Sequence, residues 1–480
     1  MVVEPKRATA GIIMADGWPP SILMALRSDV LRFMPSHYVF PGGRIDDDEG
    51  TEYVIGARDQ THGEQLHACA REIFEETGVL ATRGETPDAA LAREARVALL
   101  EETRPFDDIL EAFGHTIHAE DYHPAGHWVT PPPSPIRFDT QYFVYRVPEA
   151  KGGELIVGEH VGLDWLEPQE ARRLWRKGEL ELPTPVAHTL LELGRKPFPE
   201  CLPVLQRIDD PTNGVPERIE LACGVQIIPL ITETLPPATH TNCVLIGEDS
   251  VLLVDPGPSD AQEQAKLKRL LDELQDMGVD FMAVVLTHAH PDHTGAVPFV
   301  RDTYDVPVWA HSVTADRVEF NVDRHLEEDE VILVPGDPEF RVRCLHTPGH
   351  DPGHLCFHEE TSGAMIGGDL VANPGTIVVS HDHNGDMSHY LNSLERIRDL
   401  DHGILVPSHG MALRDSKAKL QETIDHRLWR EGKVRDALAQ GHTTIRDLLA
   451  VVYDDVPEET WPLAEHSLKA HLHRLGADIT

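Results

Sequence analysis

The residues best suited to chemistry lie in one segment, Thr287–Gly295, which places three histidines and one aspartate within six residues. They are His288, His290, Asp292 and His293. Imidazole nitrogens and carboxylate oxygens are the ligands that suit Zn²⁺. A divalent cation held by such ligands activates water at neutral pH and polarises an attacked carbonyl or phosphoryl group. The segment therefore predicts metal-assisted hydrolysis.

Several short apolar runs of the central region end in loops that carry His or Asp. They are Val251–Val254 before Asp255, Phe281–Leu286 before His288, Phe340–Cys344 before His346 and His350, Ala364–Ile366 before Asp369, and Ile404–Val406 before His409. Runs of this length are typical of buried strands. Because α/β folds collect functional residues at strand ends, we expect these side chains to lie close together.

The order His-x-His-x-Asp-His resembles the signature of the metallo-β-lactamase superfamily, and further motifs follow in that family's order. Val254–Gly257 resembles the first motif, Thr347–His350 the third, Gly367–Asp369 the fourth and Pro407–Gly410 the last. The resemblance implies a hydrolase with two metal ions. One metal is implied to be held by His288, His290 and His350. The other is implied to be held by Asp292, His293 and His409, and Asp369 is implied to bridge the two.

The same resemblance assigns further roles. Two Zn²⁺ ions are expected, with Mn²⁺ or Fe²⁺ as alternatives. Asp292 is also predicted to orient the attacking water, because a carboxylate beside that water accepts its hydrogen bond. Asp255 has no partner ligands in this scheme and is interpreted as structural support. His354, four residues after His350, is interpreted as an exposed loop residue without a role.

Within the superfamily the chain resembles the glyoxalase-II-like branch, and more narrowly the lactamase-β-like proteins with a winged-helix tail, some of which are endoribonucleases. The shared segments are Thr241–Asn242, His346–His350 and Tyr390–Leu394. This resemblance implies that the metal site hydrolyses a thioester or a phosphodiester bond.

The C-terminal stretch predicts three helices from the helical spacing of Leu and Val: Arg427–Ala439, Thr443–Tyr453 and about Glu458–Arg474. It resembles the winged-helix tail of the lactamase-like group. Residues 412–440 carry seven basic and five acidic side chains. A charged helical face explains them, and nucleic-acid contact is the alternative.

The N-terminal part carries a second group of acids, Glu72, Glu75 and Glu76. Residues 68–78 predict a helix that is closed by Gly78. Glutamates three and four positions apart share one helical face, where their carboxylates repel one another unless a cation lies among them. Oxygen-only ligands favour Mg²⁺ or Mn²⁺.

These residues resemble the Nudix box, Gly-x5-Glu-x7-Arg-Glu-hydrophobic-x-Glu-Glu-x-Gly. The matching residues are Gly43, Glu49, Arg71, Glu72, Glu75, Glu76 and Gly78. Twenty-one residues separate Glu49 from Arg71 where the pattern has seven. This long insertion is similar to one in a branch of Nudix hydrolases that includes coenzyme A diphosphatases. The resemblance implies hydrolysis of nucleoside-diphosphate-linked compounds, with Glu75 and Glu76 as catalytic residues. Phe138–Val144 and Trp165–Ala171 resemble the closing strand and last helix of that fold.

Length predicts a multidomain chain, because 480 residues exceed one ordinary core. The resemblances imply that its domains are of mixed α/β and α+β class. We predict a Nudix fold over 1–195 and a proline-containing linker over 196–218. An αββα metallo-β-lactamase sandwich is expected over 219–414. A small, helical, winged-helix-like domain is expected over 415–480.

Composition restricts the partners. The formal net charge of −39 repels phosphate backbones and anionic lipids, so small-molecule substrates are expected and nucleic acid is disfavoured. No segment has transmembrane length, and no membrane partner is expected. Six scattered cysteines predict reduced, buried thiols and, without a recognisable signal peptide, a cytoplasmic protein. No particular oligomeric state is predicted.

The combined prediction is a metal-dependent hydrolase with two independent sites. One hypothesis is that both sites act on coenzyme A derivatives. The Nudix-like site would cleave the diphosphate, and the metallo-β-lactamase-like site would cleave an acyl thioester. One alternative is an endoribonuclease. Another is a hydrolase whose Nudix part only senses a nucleotide ligand.

Overall fold

The computed structural model describes residues 4–31, 34–47, 49–130, 136–156, 158–207, 217–336, 339–477 and 479. The chain forms two compact units, Met1–Ile219 and Glu220–Thr480. Part of the predicted linker, residues 208–216, lies outside the described residues. The finer domain bounds stay predictions.

A seven-stranded sheet forms the centre of the N-terminal unit. The strands are β1 (Lys6–Ala15), β2 (Ile22–Arg27), β3 (Tyr38–Val39), β4 (Gly42–Arg44), β5 (Val54–Ile55), β6 (Ile117–His118), β7 (Tyr122–Val129), β8 (Phe138–Val147) and β9 (His160–Leu166). Seven of these strands form the sheet, and the other two, β5 and β6, form a separate pair. β1 runs parallel to β8 and antiparallel to β2 and β4. Parallel neighbours require a long crossover, and that connection contains the first helices.

Helices cover both faces of this sheet. They are α1 (Gln60–Thr77), α2 (Ala89–Leu100), α3 (Phe106–Phe113), α4 (Pro168–Arg176), α5 (Thr184–Arg195) and α6 (Leu202–Leu205). Successive side chains of β1 point to opposite faces, so Ile13 packs in one core with α1 while Ile12 and Met14 pack in another with α5. α1 ends where Gly78 adopts a left-handed φ of 74°. The predicted closing Gly78 is therefore confirmed, but the helix begins earlier than predicted.

The C-terminal unit contains two sheets. The first has β10 (Ile219–Ala222), β11 (Val225–Ile231), β12 (His240–Gly247), β13 (Ser250–Val254), β14 (Asp280–Val285), β15 (Val308–His311) and β16 (Arg324–Leu326). The second has β17 (Val331–Val334), β18 (Phe340–His346), β19 (Leu355–Glu359), β20 (Ala364–Asn373) and β21 (Leu405–Gly410). In each sheet the strands follow one another in chain order. The five apolar runs predicted as strands coincide with these strands except at two ends, since Leu286 follows β14 and Ile404 precedes β21.

The helices of this unit are α7 (Ala261–Asp276), α8 (Pro291–Thr294), α9 (Val297–Tyr304), α10 (Ser312–Ala315), α11 (Met387–Asp399), α12 (Ser416–Ala439), α13 (Ile445–Val452) and α14 (Trp461–Arg474). Cys243 and Leu245 of β12 pack against α7, whereas Val244 and Ile246 are buried on the opposite face. In the second sheet Leu345 packs against α11. β12 also contacts β21. The two sheets thus lie face to face with helices outside, the predicted αββα sandwich.

The C-terminal helices share two cores. The first half of α12 packs through Leu420 and Ile424 against α11. Its second half packs with α13 and α14 through Val434 and Ala437. α12 begins at Ser416 rather than at the predicted Arg427, because its early turns are covered by α11. Between 411 and 477, all described, the structure has three α-helices, one short 3-10 helix at Glu458–Thr460 and no strand.

Two composition-based expectations concern the whole chain. All six cysteines are buried and none forms a disulfide, as predicted. Among the described residues, no helix combines the length and apolar character that crossing a bilayer requires.

Candidate metal centre and acidic site

The seven predicted metal ligands of the C-terminal unit come from five places in the sandwich. His288 and His290 follow β14, and Asp292 and His293 lie in the short helix α8. His350 lies in the loop between β18 and β19. Asp369 and His409 lie within the paired strands β20 and β21, whose register is irregular between Gly368 and Ala372. The fold thus brings residues 121 positions apart together, counted from His288 to His409.

The first group contains His288, His290, His350 and Asp369, whose donor atoms all lie within 4.8 Å of one another. His290 Nδ1 is 3.0 Å from His288 Nε2 and 3.0 Å from His350 Nε2. Asp369 Oδ2 is 3.4 Å from His350 Nε2. Three imidazole nitrogens and one carboxylate oxygen therefore face one point.

The second group contains Asp292, His293 and His409. Asp369 Oδ1 lies 3.5 Å from His293 Nε2 and 3.2 Å from His409 Nε2. His409 Nε2 is also 3.5 Å from Asp292 Oδ2. One oxygen of Asp369 therefore faces each group, which is the arrangement that the sequence predicts for a bridging ligand.

Two buried atoms test whether this donor set fits a cation. His293 Nε2 has no hydrogen-bond partner, and Asp369 Oδ1 has none with suitable geometry. Unpaired buried polar atoms cost free energy, and a divalent cation between the groups would satisfy both. Imidazole and carboxylate donors suit borderline transition metals. The side chains therefore fit divalent metal ions.

Burial and neighbouring charges prepare the two groups differently. Burial and adjacent imidazoles lower the pKa of His288 well below its usual value, and they lower the pKa of His290 to about 4. Both rings are therefore neutral at pH 7, as metal ligands must be. For His293, burial opposes charging, but Asp369, Asp292 and Asp255 raise its pKa to about 10. A cation in the second group would replace a proton.

In four of the five ligand histidines, the ring nitrogen that faces away from the centre also makes a polar contact. The contacts are His288 Nδ1 with Thr287 Oγ1 at 2.9 Å, His293 Nδ1 with Asp255 Oδ2 at 2.8 Å, His350 Nδ1 with Val378 O at 2.8 Å, and His409 Nδ1 with His240 O at 3.0 Å. Donation from Nδ1 leaves the Nε2 lone pair pointing into the centre. Such contacts orient metal ligands and raise their basicity.

Asp255 acts through these contacts. Its carboxylate accepts from the Thr287 backbone N–H at 2.8 Å, from Thr287 Oγ1 at 2.5 Å and from His293. Its φ is 51°, a conformation that non-glycine residues seldom adopt and that surrounding contacts must hold. Asp255 therefore orients His293 and the loop after β14, in line with its interpretation as structural support.

The expectation that His354 is an exposed loop residue is wrong. Its ring is 1% exposed. Nε2 accepts from the Asp369 backbone N–H at 2.9 Å, and Nδ1 lies 2.8 Å from Thr347 Oγ1. Burial and His350 lower its pKa to about 3, so the ring is neutral. The loop turns back before β19 and buries this histidine behind Asp369, which its spacing from His350 alone does not reveal.

The N-terminal unit brings Glu49 and Arg71 together in spite of the long insertion. Arg71 Nε donates to Glu49 Oε1 at 3.1 Å and Nη2 to Glu49 Oε2 at 3.0 Å. The inserted residues add turns to the beginning of α1 instead of separating the motif. Arg71 also donates to Glu72 Oε1 at 3.0 Å and to Glu75 at 3.3 Å.

The three predicted acids of α1 are crowded but do not meet at one point. Arg71 lies between Glu72 and Glu75, while Glu76 accepts from the Gly42 N–H at 3.0 Å. Among the described residues, the groups whose donors converge all belong to the C-terminal unit. A Cβ on Gly43 would lie 2.4 Å from Glu72 Oε1, so only glycine allows this approach.

Burial and mutual repulsion raise the pKa values of these acids. The pKa of Glu72 rises to about 7 through burial and Glu75, although Arg71 opposes the shift. The pKa of Glu76 rises well above its usual value through burial and Glu72. A cation would relieve the same repulsion.

Sequence reasoning missed His67. Its Nδ1 is 2.7 Å from Glu49 Oε1, and its Nε2 is 2.7 Å from Asp107 Oδ1 of α3. Burial opposes ionisation of Glu49, but hydrogen bonds from His67 and Arg71 lower its pKa to about 2. The available signal was spacing, because His67 lies four residues before Arg71 on the same helical face.

Comparison with known proteins agrees with the fold of the C-terminal unit. The model of the metallo-beta-lactamase superfamily matches residues 236–409. The model of the beta-lactamase associated winged helix domain matches residues 444–478, which contain α13 and α14. The predicted winged-helix resemblance of the tail is thereby confirmed.

Two curated relatives and one solved structure are similar to parts of this chain. Beta-lactamase-like protein 2 homolog of Drosophila melanogaster is 28% identical over 249 residues, 49% of this chain and 82% of its own. Atrochrysone carboxyl ACP thioesterase of Aspergillus chevalieri is 30% identical over 231 residues, 46% of this chain and 70% of its own. A solved Nudix hydrolase of Alicyclobacillus acidocaldarius is 24% identical and covers 43% of this chain and 99% of its own with a TM-score of 0.39, which assigns no fold. The converging metal-binding groups, the region that the superfamily model matches and the 30%-identical thioesterase agree: the chain belongs to the metallo-β-lactamase superfamily.

Proposed function

We propose that the C-terminal unit is a dinuclear zinc hydrolase of thioesters. The observation that carries the proposal is the position of Asp369, with one carboxylate oxygen facing each of two donor groups. His288, His290 and His350 would hold one cation, and Asp292, His293 and His409 the other. The cations would supply Lewis acidity, which activates water and stabilises the oxyanion of the attacked carbonyl.

The chain's own residues supply the geometry. Asp292 lies at the rim of the second group, its side chain 16% exposed, and would accept a hydrogen bond from the attacking water. Asp255 orients His293, and His354 holds the backbone of Asp369. These contacts fix the positions of His293 and Asp369, so little reorganisation of the two side chains is needed during the reaction.

Thioesters are favoured as substrates because one relative is named an atrochrysone carboxyl ACP thioesterase. That name indicates an acyl group carried on a thiol. Acyl-CoA and acyl-carrier-protein substrates share this bond, and both present an uncharged carbonyl to the metals. Phosphodiester hydrolysis, including that of RNA, is the competing activity, and the net charge of −39 disfavours it.

The test is a hydrolysis panel with zinc-loaded protein. Acyl-CoA and acyl-carrier-protein thioesters are followed by thiol release, and a labelled single-stranded RNA by gel. Asp292→Asn is expected to lower thioester hydrolysis by about 10²–10⁴-fold through loss of the water-orienting carboxylate. Asp302→Asn on α9 is the matched exposed control. RNA cleavage with intact thioesters would reject the proposal.

A second proposal is that the N-terminal unit is a Nudix-type pyrophosphohydrolase. It is supported by the Glu49–Arg71 contact, the approach of Glu72 to Gly43 and the raised pKa values of Glu72 and Glu76. Glu72, Glu75 and Glu76 would hold Mg²⁺ or Mn²⁺, which activates water for attack on phosphorus. This requires Glu76 to turn from Gly42 toward the other two carboxylates.

Coenzyme A and other nucleoside-diphosphate-linked compounds are the substrates to test, with Mg²⁺ present. Glu75→Gln and Glu76→Gln are each expected to abolish phosphate-bond cleavage. Glu64→Gln, on the same helix and paired with Arg7, is the matched control. Tight ligand binding by wild-type protein without any cleavage would reject catalysis in favour of a nucleotide sensor.

A further inference from the structure

The long helix α12 reaches the metal centre through a buried arginine. Arg427 is 4% exposed, and its side chain crosses to the loop that follows β20. Its Nη2 donates to Thr376 Oγ1 at 2.6 Å and also to the Ile377 carbonyl oxygen. A guanidinium with two acceptors on adjacent residues fixes the orientation of that stretch of backbone.

The next carbonyl of the same loop bonds to a metal ligand. Val378 O accepts from His350 Nδ1 at 2.8 Å. The carbonyl that accepts from Arg427 and the carbonyl that orients His350 therefore belong to adjacent residues, Ile377 and Val378. The two carbonyls lie on consecutive planar peptide units joined at the Cα of Val378, so fixing the first unit limits the positions of the second. Through that second carbonyl, Arg427 restrains the ring of His350.

A second contact leads from Arg427 toward Asp369. The guanidinium lies over the ring of Tyr390, 5.7 Å from its centre. Tyr390 OH donates to Leu370 O at 2.8 Å, on the residue after Asp369. The backbone of Tyr390 also packs on Gly349, where a Cβ would lie 2.3 Å from Tyr390 N. Arg427 thus contacts the supports of both His350 and Asp369.

We propose that Arg427 is a positioning residue of the metal centre, so that the helical tail is a built-in part of the site. The inference rests on the proposed metal-dependent function. Loss of the guanidinium would free the loop from Thr376 to Val378 and let the His350 ring rotate. The expected consequence is weaker binding of the cation held by His288, His290 and His350.

α12 itself offers a matched control, Arg430, three residues further along. Arg430 is also buried, at 3% exposure, but it donates to Asp455 at 2.6 and 2.9 Å and to Val452 O. These partners belong to the end of α13 and the turn after it. Replacing either arginine removes a buried cation, so both variants lose stability, but only Arg427 contacts the loop of His350.

The experiment compares Co²⁺ binding to metal-free wild-type protein, Arg427→Ala and Arg430→Ala. Affinity is measured by chelator competition, and the ligand field of bound Co²⁺ by its visible spectrum. Arg427→Ala is expected to lower the affinity for one of the two Co²⁺ ions by about 10–100-fold and to change the visible spectrum of that ion. Arg430→Ala should match wild type in both measurements. Equal affinities and spectra for Arg427→Ala and wild type would overturn the inference.

Two milder variants guard against misfolding of Arg427→Ala. Arg427→Lys keeps the charge and loses the planar fork, and Tyr390→Phe removes only the hydroxyl that contacts Leu370. Each is expected to weaken Co²⁺ binding less than Arg427→Ala, and wild-type affinity in both would overturn the inference. If wild-type protein binds no Co²⁺, the proposed metal-dependent function itself fails. If wild-type protein binds Co²⁺ and the Arg427 variants bind it equally well, only the inference about Arg427 fails.

Discussion

The metal centre of the C-terminal unit and the acidic site of the N-terminal unit are organised in opposite ways. The metal centre takes its side chains from loops, strands and a short helix spread over the sandwich. In four of its five ligand histidines, all except His290, a carboxylate, hydroxyl or carbonyl holds the outer ring nitrogen. The acidic site takes three carboxylates from one helix, and Arg71 lies among them.

The difference has an energetic consequence. Imidazoles whose outer nitrogens are held keep their orientation, so cation binding at the metal centre requires little rearrangement of these rings. The carboxylates of α1 have accepted other partners, Arg71 and the Gly42 N–H, and must exchange them to bind a cation. We therefore expect tight binding at the first site and weak, exchangeable binding at the second.

Metal removal should give the largest effect and separates the two sites. Dialysis against a chelator is expected to abolish both proposed activities. Zn²⁺ should then restore thioester hydrolysis and Mg²⁺ only phosphate-bond cleavage, because imidazole donors favour Zn²⁺ while carboxylates alone favour Mg²⁺. Both assays are run after each addition, with elemental analysis of bound metal. Restoration of both activities by one cation would contradict the contrast.

Removal of the bridging carboxylate should be nearly as severe, but at one site. Asp369→Asn is expected to lower kcat/KM for thioesters by on the order of 10³-fold, because several kcal/mol of transition-state stabilisation depend on the cations. Phosphate-bond cleavage should keep its wild-type rate. Steady-state kinetics of both reactions on one preparation provide the measurement, and a parallel loss of both would show that the sites are not independent.

Removal of a support should have a smaller effect than removal of a ligand. Asp255→Asn keeps an acceptor but loses the charge beside His293, and metal affinity is expected to fall by about 10–100-fold. Competition with a chromophoric chelator measures the change, and circular dichroism confirms that the fold is kept. Unchanged affinity would mean that the neighbouring carboxylates orient His293 without Asp255.

The smallest effect concerns the stability of the acidic site. His67→Ala leaves Glu49 and Asp107 without a donor that both now share, and we expect a loss of about 1–3 kcal/mol in the free energy of unfolding. Glu64→Ala on the same helix breaks a half-exposed ion pair with Arg7 and should cost under about 1 kcal/mol. Urea unfolding of both variants tests the order, and a larger loss for Glu64→Ala would reverse the interpretation of His67.

Local spacing accounts for what could be predicted. His288, His290, Asp292 and His293 are so close in sequence that any fold keeps them near one another, and a resemblance then supplied the distant ligands. In the same way, helical periodicity places Glu72 and Glu75 on one face of α1. The apolar runs before the ligand loops lie almost entirely in strands, because buried strand positions need hydrophobic side chains.

Supporting contacts could not be predicted, because they depend on which surfaces pack together. The exposure expected for His354 was wrong since a turn buries it behind Asp369. The start expected for α12 was wrong since packing on α11, rather than helical propensity, supports its first turns.

By itself, the amino-acid sequence determined the kinds of donor atom available, imidazole with carboxylate in one unit and carboxylate alone in the other, and hence the classes of cation each site suits. Only the tertiary structure decided how those donors are held. Asp255, His67 and Arg427 make contacts over 38, 40 and 50 residues of chain, respectively, and such contacts arise from packing rather than from local spacing.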